Sequence, residues 1–142
     1  MGTKPSSYST STFQRKVKAK AKVLIIGDDD TLNDEITQGF SICMPEADLV
    51  FSKLGQEGIS TLKSNNPCLV ILDMSIPDVS AWEVLVMIRQ ISQVPLIFLS
   101  YSKNEADIVK SLELGCDTYL SKPIRQLEFM AYVRSVMKRA FK

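Results

Sequence analysis

The sequence predicts an α/β fold, a parallel sheet wound with helices on both faces, and three observations predict it. Short apolar runs end abruptly at polar residues: Val23-Leu24-Ile25-Ile26, Cys68-Leu69-Val70-Ile71-Leu72 and Leu96-Ile97-Phe98-Leu99. Each is apolar throughout instead of at alternate positions, the pattern of a strand covered on both faces. Stretches with apolar residues at helical spacing separate the runs, so strands and helices alternate.

Taken in order, Val23 to Ile26 is a buried strand, and Gly27-Asp28-Asp29-Asp30 closes it with a turn able to cap a helix. That helix is expected from Leu32 to Cys43, with Leu32, Ile36, Phe40 and Cys43 on one face and Pro45 ending it. Leu49-Val50-Phe51 is the second strand, and Gly55 to Ser64 a weaker helix that turns Ile59 and Leu62 inward. The run ending at Asp73 is bounded by Asn65-Asn66-Pro67 and Pro77-Asp78, too short an interval for a buried helix. Ala81 to Ile91 places Trp82, Leu85, Val86 and Ile88 at helical spacing, and Leu96 to Leu99 is a fourth strand ending in Ser100. A helix from Asn104 to Leu114 closes at Gly115, the residue type suited to a left-handed cap. Asp117 to Leu120 is the fifth strand, ended by Ser121-Lys122-Pro123, and the last helix, Gln126 to Ala140, presents Phe129, Met130, Val133, Val136 and Met137.

With 142 residues, 45% of them hydrophobic, the chain suits one domain with a real core. Residues 1 to 22 hold six of the 17 basic residues and none of the 16 acidic ones, so residues 23 to 142 carry about −5. Residues 1–21 are therefore read as a basic, disordered tail and residues 22–142 as the domain. An acidic body argues against nucleic-acid binding by the domain itself and suits carboxylates gathered around a cation. Met1-Gly2-Thr3-Lys4-Pro5-Ser6 fits the form of a myristoylation site, although a simple leader explains it as well. No apolar stretch approaches the length of a membrane helix, and a cytoplasmic location is expected. Cys43, Cys68 and Cys116 are too widely spaced for a zinc site and are read as core thiols. The absence of histidine excludes serine-hydrolase triads, histidine-ligated metals and phosphohistidine carriers.

Four strands bring polar groups to the carboxyl edge of the sheet, where open α/β folds bind their ligands: Asp28, Asp73, Ser100 and Lys122. Two carboxylates in one crevice repel unless a cation lies between them, and an oxygen-only site suits Mg²⁺. A lysine and a hydroxyl opposite them suit the oxygens of a phosphoryl group.

On these residues the chain resembles the receiver domain of two-component response regulators over about residues 22 to 142. Asp73 followed by Pro77, the strand ending in Ser100, Leu112-Glu113-Leu114-Gly115-Cys116-Asp117 and Tyr119-Leu120-Ser121-Lys122-Pro123 carry the resemblance. It implies a flavodoxin-like (CheY-like) five-stranded sheet of order 2-1-3-4-5. It implies a phospho-acceptor, Asp73, taking its phosphoryl group from a sensor histidine kinase or a phosphotransfer protein. Mg²⁺ would be held by Asp28, Asp73 and the backbone carbonyl of Ser75, with Asp29 or Asp30 available to reach in. Ser100 and Lys122 would bind the phosphoryl oxygens, with Lys122-Pro123 cis, and Ser100 and Tyr119 would form the switch. Such a domain is a signalling module that catalyses only its own phosphorylation and dephosphorylation. Ser75 and Ser102 occupy positions that tune the lifetime of the phosphate.

Gly27 stands where the family has a first acid, which predicts weaker Mg²⁺ binding. Ala81 replaces a common glycine. Tyr101 is larger than the usual residue beside the switch serine, and is read either as surface packing or as a gate. Lys110 and Glu128 match positions that pair across a dimer through the last helix, while Tyr132 takes a place often held by arginine. Two rival readings remain: a pseudo-receiver that binds partners without phosphorylation, and an aspartyl-phosphate phosphatase, opposed by Ser75 where a second aspartate would stand. With no effector sequence before Lys142, the chain is expected to be a stand-alone receiver or one cut from a longer protein.

Overall fold

The computed structural model describes residues 21–140. Its elements alternate: β1 (Lys22–Ile26), α1 (Asp30–Cys43), β2 (Asp48–Ser52), α2 (Gly55–Asn65), β3 (Leu69–Asp73), α3 (Ala81–Ile91), β4 (Leu96–Ser100), α4 (Glu105–Leu114), β5 (Thr118–Ser121) and α5 (Gln126–Ala140). All strand pairings are parallel, in the order β2-β1-β3-β4-β5. The expectations for the basic tail, the myristoylation pattern among them, fall on residues 1–20 and lie outside the described residues.

Strand parity divides the core into two layers. Val23, Ile25, Leu69, Ile71, Ile97 and Leu99 face α1 and α5, where Ile36, Phe40, Phe129 and Val133 pack. Leu24, Ile26, Val70, Leu72, Leu96 and Phe98 face the opposite layer, built on Ile59 and Leu62 of α2 and Val84, Leu85 and Ile88 of α3. Strands β3 and β4 are buried at every position, as their unbroken apolar runs require.

The helix boundaries follow from their caps. Helix α1 starts two residues before the expected Leu32, because the Asp29 carboxylate accepts the Leu32 N–H at 3.1 Å. Ser80 and Asn104 cap α3 and α4 in the same way. Gly115 ends α4 at φ 117°, and Asn66 ends α2 at φ 49°, the one non-glycine with positive φ among the described residues. Ala81 therefore needs no glycine-like backbone. In α3 the inward stripe is Ala81, Val84, Leu85 and Ile88; of the four residues expected at helical spacing, Leu85 and Ile88 belong to it and Trp82 packs half-buried against the same core. Val86 lies a quarter-turn away and is exposed. The last helix buries all five residues expected of it.

The residue before α2, Leu54, offers no side-chain cap for the helix that begins at Gly55. Asp78, 23 residues later, supplies one: its carboxylate accepts the Gly55 N–H at 2.8 Å and the Gln56 N–H at 3.1 Å. The loop that leaves the Asp73 strand is thereby tied to the neighbouring helix. At the far end of the sheet Arg89 donates to the carbonyls of Gly115 and Val94 and pairs with Asp117, locking the entries to β4 and β5.

Candidate functional site

At the carboxyl edge, β3 ends in Asp73, whose Cα lies beside that of Leu99, and β4 ends in Ser100, level with Ser121. Lys122 follows directly, and the Lys122-Pro123 bond is cis. Parallel register thus brings residues from distant parts of the chain to one depth.

The centre of the site is a buried ion pair. Lys122 Nζ lies 2.6 Å from Asp73 Oδ1, and both side chains are 1% exposed. Oδ1 also accepts the Ser75 N–H at 3.1 Å. Oδ2 is buried and has no hydrogen-bond partner among the described residues. Burial pushes the Asp73 carboxyl above its ordinary value. Hydrogen bonds from Lys122 and the Ser75 amide, and the lysine charge, pull it back, while the Asp29 charge adds to the rise. Desolvation outweighs the lysine, because a buried carboxylate loses more hydration than one ion pair returns.

The acids after β1 divide between two surroundings. Asp29 is half-buried, caps α1 through Oδ1 and turns Oδ2 to within 3.5 Å of Lys122 Nζ. The side chain of Asp28 is exposed, its N–H donates to the Ser75 carbonyl at 3.0 Å, and its charge is felt by Lys53. Asp30 pairs with Lys53 at the surface and does not reach in. Gly27 is buried against Asp73.

The switch residues form a linked group. Ser100 Oγ accepts the Ser102 N–H at 3.0 Å, and the Tyr119 hydroxyl donates to the Ser102 carbonyl at 2.6 Å. The Tyr119 ring stacks on Phe98 with centroids 5.9 Å apart. Tyr101 is exposed, with its ring centroid 4.6 Å from Lys122 Nζ. Beside the site a cleft of about 380 Å³ is bordered by Lys103, Tyr119, Arg125 and Glu128. Lys110 and Glu128 are both exposed, and Lys110 Nζ lies 3.8 Å over the Trp82 ring.

Two features had no local signal in the sequence. Asp78 as a cap depends on α2 lying beside the β3–α3 loop. Ser102 Oγ donates to Asp107 at 2.6 Å, and Ser111 Oγ, bonded to the Asp107 carbonyl, accepts the Trp82 indole N–H at 3.1 Å. This chain of bonds joins the Ser100 loop to α4 and α3.

Among the described residues no three Asp, Glu, Cys or His side chains converge as a metal cluster. Mg²⁺ asks for less: one or two carboxylates, with water and other oxygens completing the octahedron. The unpartnered Asp73 Oδ2, the Ser75 carbonyl and the adjacent Asp28 and Asp29 suit that chemistry.

The family model of the response regulator receiver domain matches residues 23–134. A "Probable transcriptional regulator ycf27" of Porphyridium aerugineum is 33% identical over 123 residues, covering 87% of this chain and 50% of that protein. The transcriptional regulatory protein PcoR of Escherichia coli is 32% identical over 120 residues, covering 84% and 52%. The chain thus spans about half the length of these curated relatives. Among solved structures, a two-component response regulator from Clostridium difficile superposes with a TM-score of 0.80 at 23% identity, covering 86% of this chain and 99% of that one.

Proposed function

Because the chain belongs to the response regulator receiver family, we propose that Asp73 accepts a phosphoryl group, with Mg²⁺, from a sensor histidine kinase or a phosphotransfer protein. One observation carries the reading: a buried carboxylate paired with a buried lysine at the ligand edge of the sheet, with one carboxylate oxygen unpartnered.

A carboxylate oxygen of Asp73 forms a bond to phosphorus while the donor's P–N bond breaks. The departing imidazole nitrogen keeps the bonding pair and takes a proton from water. Raised basicity makes the ionised Asp73 the better nucleophile. Lys122, already charged and desolvated, needs only a small shift to bind a phosphoryl oxygen, and Ser100 donates to another. Asp73, Asp28 and the Ser75 carbonyl would hold Mg²⁺, with Asp29 within reach. Bound there, the cation would offset the charge of the carboxylates and of the incoming phosphoryl oxygens.

The switch follows from the same bonds. Ser100 turning toward the phosphoryl group changes its contact with Ser102, and Ser102 holds Tyr119. Two packings of this group then shift in population, and Tyr101, standing over Lys122, takes part. The chain is a signalling receiver that catalyses only its own phosphorylation and dephosphorylation, and it works in the cytoplasm. A homodimer through the last helix would use Lys110 and Glu128, with Lys110 leaving Trp82. Sedimentation that gives a monomer at high concentration, with and without a phosphoryl mimic, removes the dimer. The acidic body gives the receiver itself no nucleic-acid surface. Its relatives named as transcriptional regulators suggest that such binding belongs to another part of a longer protein.

The test is incubation with a small-molecule phosphodonor, read by intact mass. A phosphoryl adduct that needs Mg²⁺ and disappears in Asp73→Asn is expected. No adduct over a wide range of Mg²⁺ overturns the reading.

A further inference from the structure

We infer that Tyr101 is a positioning residue for Lys122, its ring face holding the ammonium in the desolvated geometry that phosphoryl transfer needs. The inference rests on the function proposed for Asp73. An ammonium has three N–H donors. Two of them are accounted for by Asp73 Oδ1 at 2.6 Å and Asp29 Oδ2 at 3.5 Å. The third contact is the Tyr101 ring, its centroid 4.6 Å from Nζ, within the range of a cation–π interaction.

The exposures carry the argument further. Lys122 has a side chain only 1% exposed, whereas Tyr101 is 65% exposed. The ring is therefore an outer wall, with water on one side and a buried charge on the other. Such a contact is worth most where the cation is desolvated, as Lys122 is and the surface Lys110 over Trp82 is not. The tyrosine hydroxyl has no part in this arrangement, since the ring face alone meets the charge. Phenylalanine should therefore substitute, and leucine, of similar bulk but without a π face, should not.

The experiment uses the full chain and two readouts. The first needs no phosphodonor: acetylation of lysines by an N-hydroxysuccinimide ester, mapped by peptide mass, with Lys53 and Lys110 as internal references for intact folding. Lys122 is expected to react about tenfold faster in Tyr101→Leu than in wild type, with Tyr101→Phe matching wild type. The second is the rate of adduct formation on Asp73, expected to fall about tenfold in Tyr101→Leu and to recover in Tyr101→Phe. Leucine behaving as wild type, or phenylalanine behaving as leucine, in the acetylation assay overturns the inference. If the wild-type chain gains no adduct, the phosphorylation reading fails, and the acetylation ratios still decide whether Tyr101 holds Lys122.

Discussion

Gly27 lies so close to Asp73 that an ideal β-carbon on it would stand 2.7 Å from Asp73 Cβ and 3.1 Å from Asp73 Oδ2. Real β-carbons do not approach so closely, and Asp73 Cβ is fixed to a buried strand, so one of the two strand ends would have to move. Gly27→Ala is expected to cost about 1–3 kcal/mol by overpacking. Gly27→Asp, which restores the acid usual in the family, is expected to bind Mg²⁺ no more tightly than wild type. Thermal unfolding and calorimetric Mg²⁺ titration check the pair. An unchanged melting temperature in Gly27→Ala would show that the strand ends separate freely.

The pair of Asp73 and Lys122 is asymmetric toward substitution. Lys122→Met leaves Asp73 buried without its main partner, at a cost of about 3 kcal/mol near neutral pH. Urea unfolding at pH 7 and at pH 4 measures it. The cost should shrink in acid, where protonation relieves the uncompensated carboxylate.

Asp73 also makes stability depend on pH with a definite sign. Its pKa is raised in the folded chain from an ordinary 3.8, so the folded state binds the proton more tightly than the unfolded state. The resulting stability is fully present below pH 3.8 and is lost as pH rises through the folded value. Asp73→Asn lacks this loss. Its stability relative to wild type should therefore grow with pH across that window, as read from urea midpoints without divalent cations.

Asp78 behaves oppositely. Hydrogen bonds from the Gly55 and Gln56 amides hold its carboxyl below the ordinary value. Its contribution is present above pH 3.8 and is lost as pH falls through the lowered value. Asp78→Ala should speed amide hydrogen exchange at Gly55 and Gln56 while leaving the amides of α5 unchanged. Unaltered exchange at both would mean that solvent caps α2 equally well.

Ser111 is fully buried and is the acceptor for the indole of the single tryptophan. Ser111→Ala strands the Trp82 N–H and is expected to cost about 1–2 kcal/mol. Tryptophan emission and unfolding free energy would shift together. A change in stability with no change in emission would locate the loss in the Ser111–Asp107 bond instead.

The elements were legible because their signals are local. Leu69 to Leu72 is apolar at every position, and that alone states a strand with two covered faces. Asn104 marks the start of α4 through its own side chain, and Gly115 marks the end because, lacking one, it takes the left-handed φ of the cap. In α3 Val86 is as apolar as the residues that turn inward yet lies exposed, because composition does not say which side of a helix meets a sheet. At the site, Asp73 and Ser100 could be picked out as polar groups closing buried strands, and Lys122 as the lysine directly after the last strand. The family resemblance selects Asp28 among the three acids of the turn, but which carboxylate turns toward Lys122 depends on side-chain direction, which spacing does not give.

The sequence by itself determined the alternation of elements, the two-sided burial of the central strands and the polar residues left at their carboxyl ends, because periodicity and chain breaks are properties of neighbours. Only the tertiary structure decided that Asp29 reaches Lys122 across 93 positions while Asp28 faces outward. It also decided that Asp78 caps a helix 22 to 23 residues earlier, and that an exposed tyrosine ring covers a buried ammonium. Those relations depend on register and on the direction of single side chains, which packing sets through distances between remote segments and no local pattern encodes.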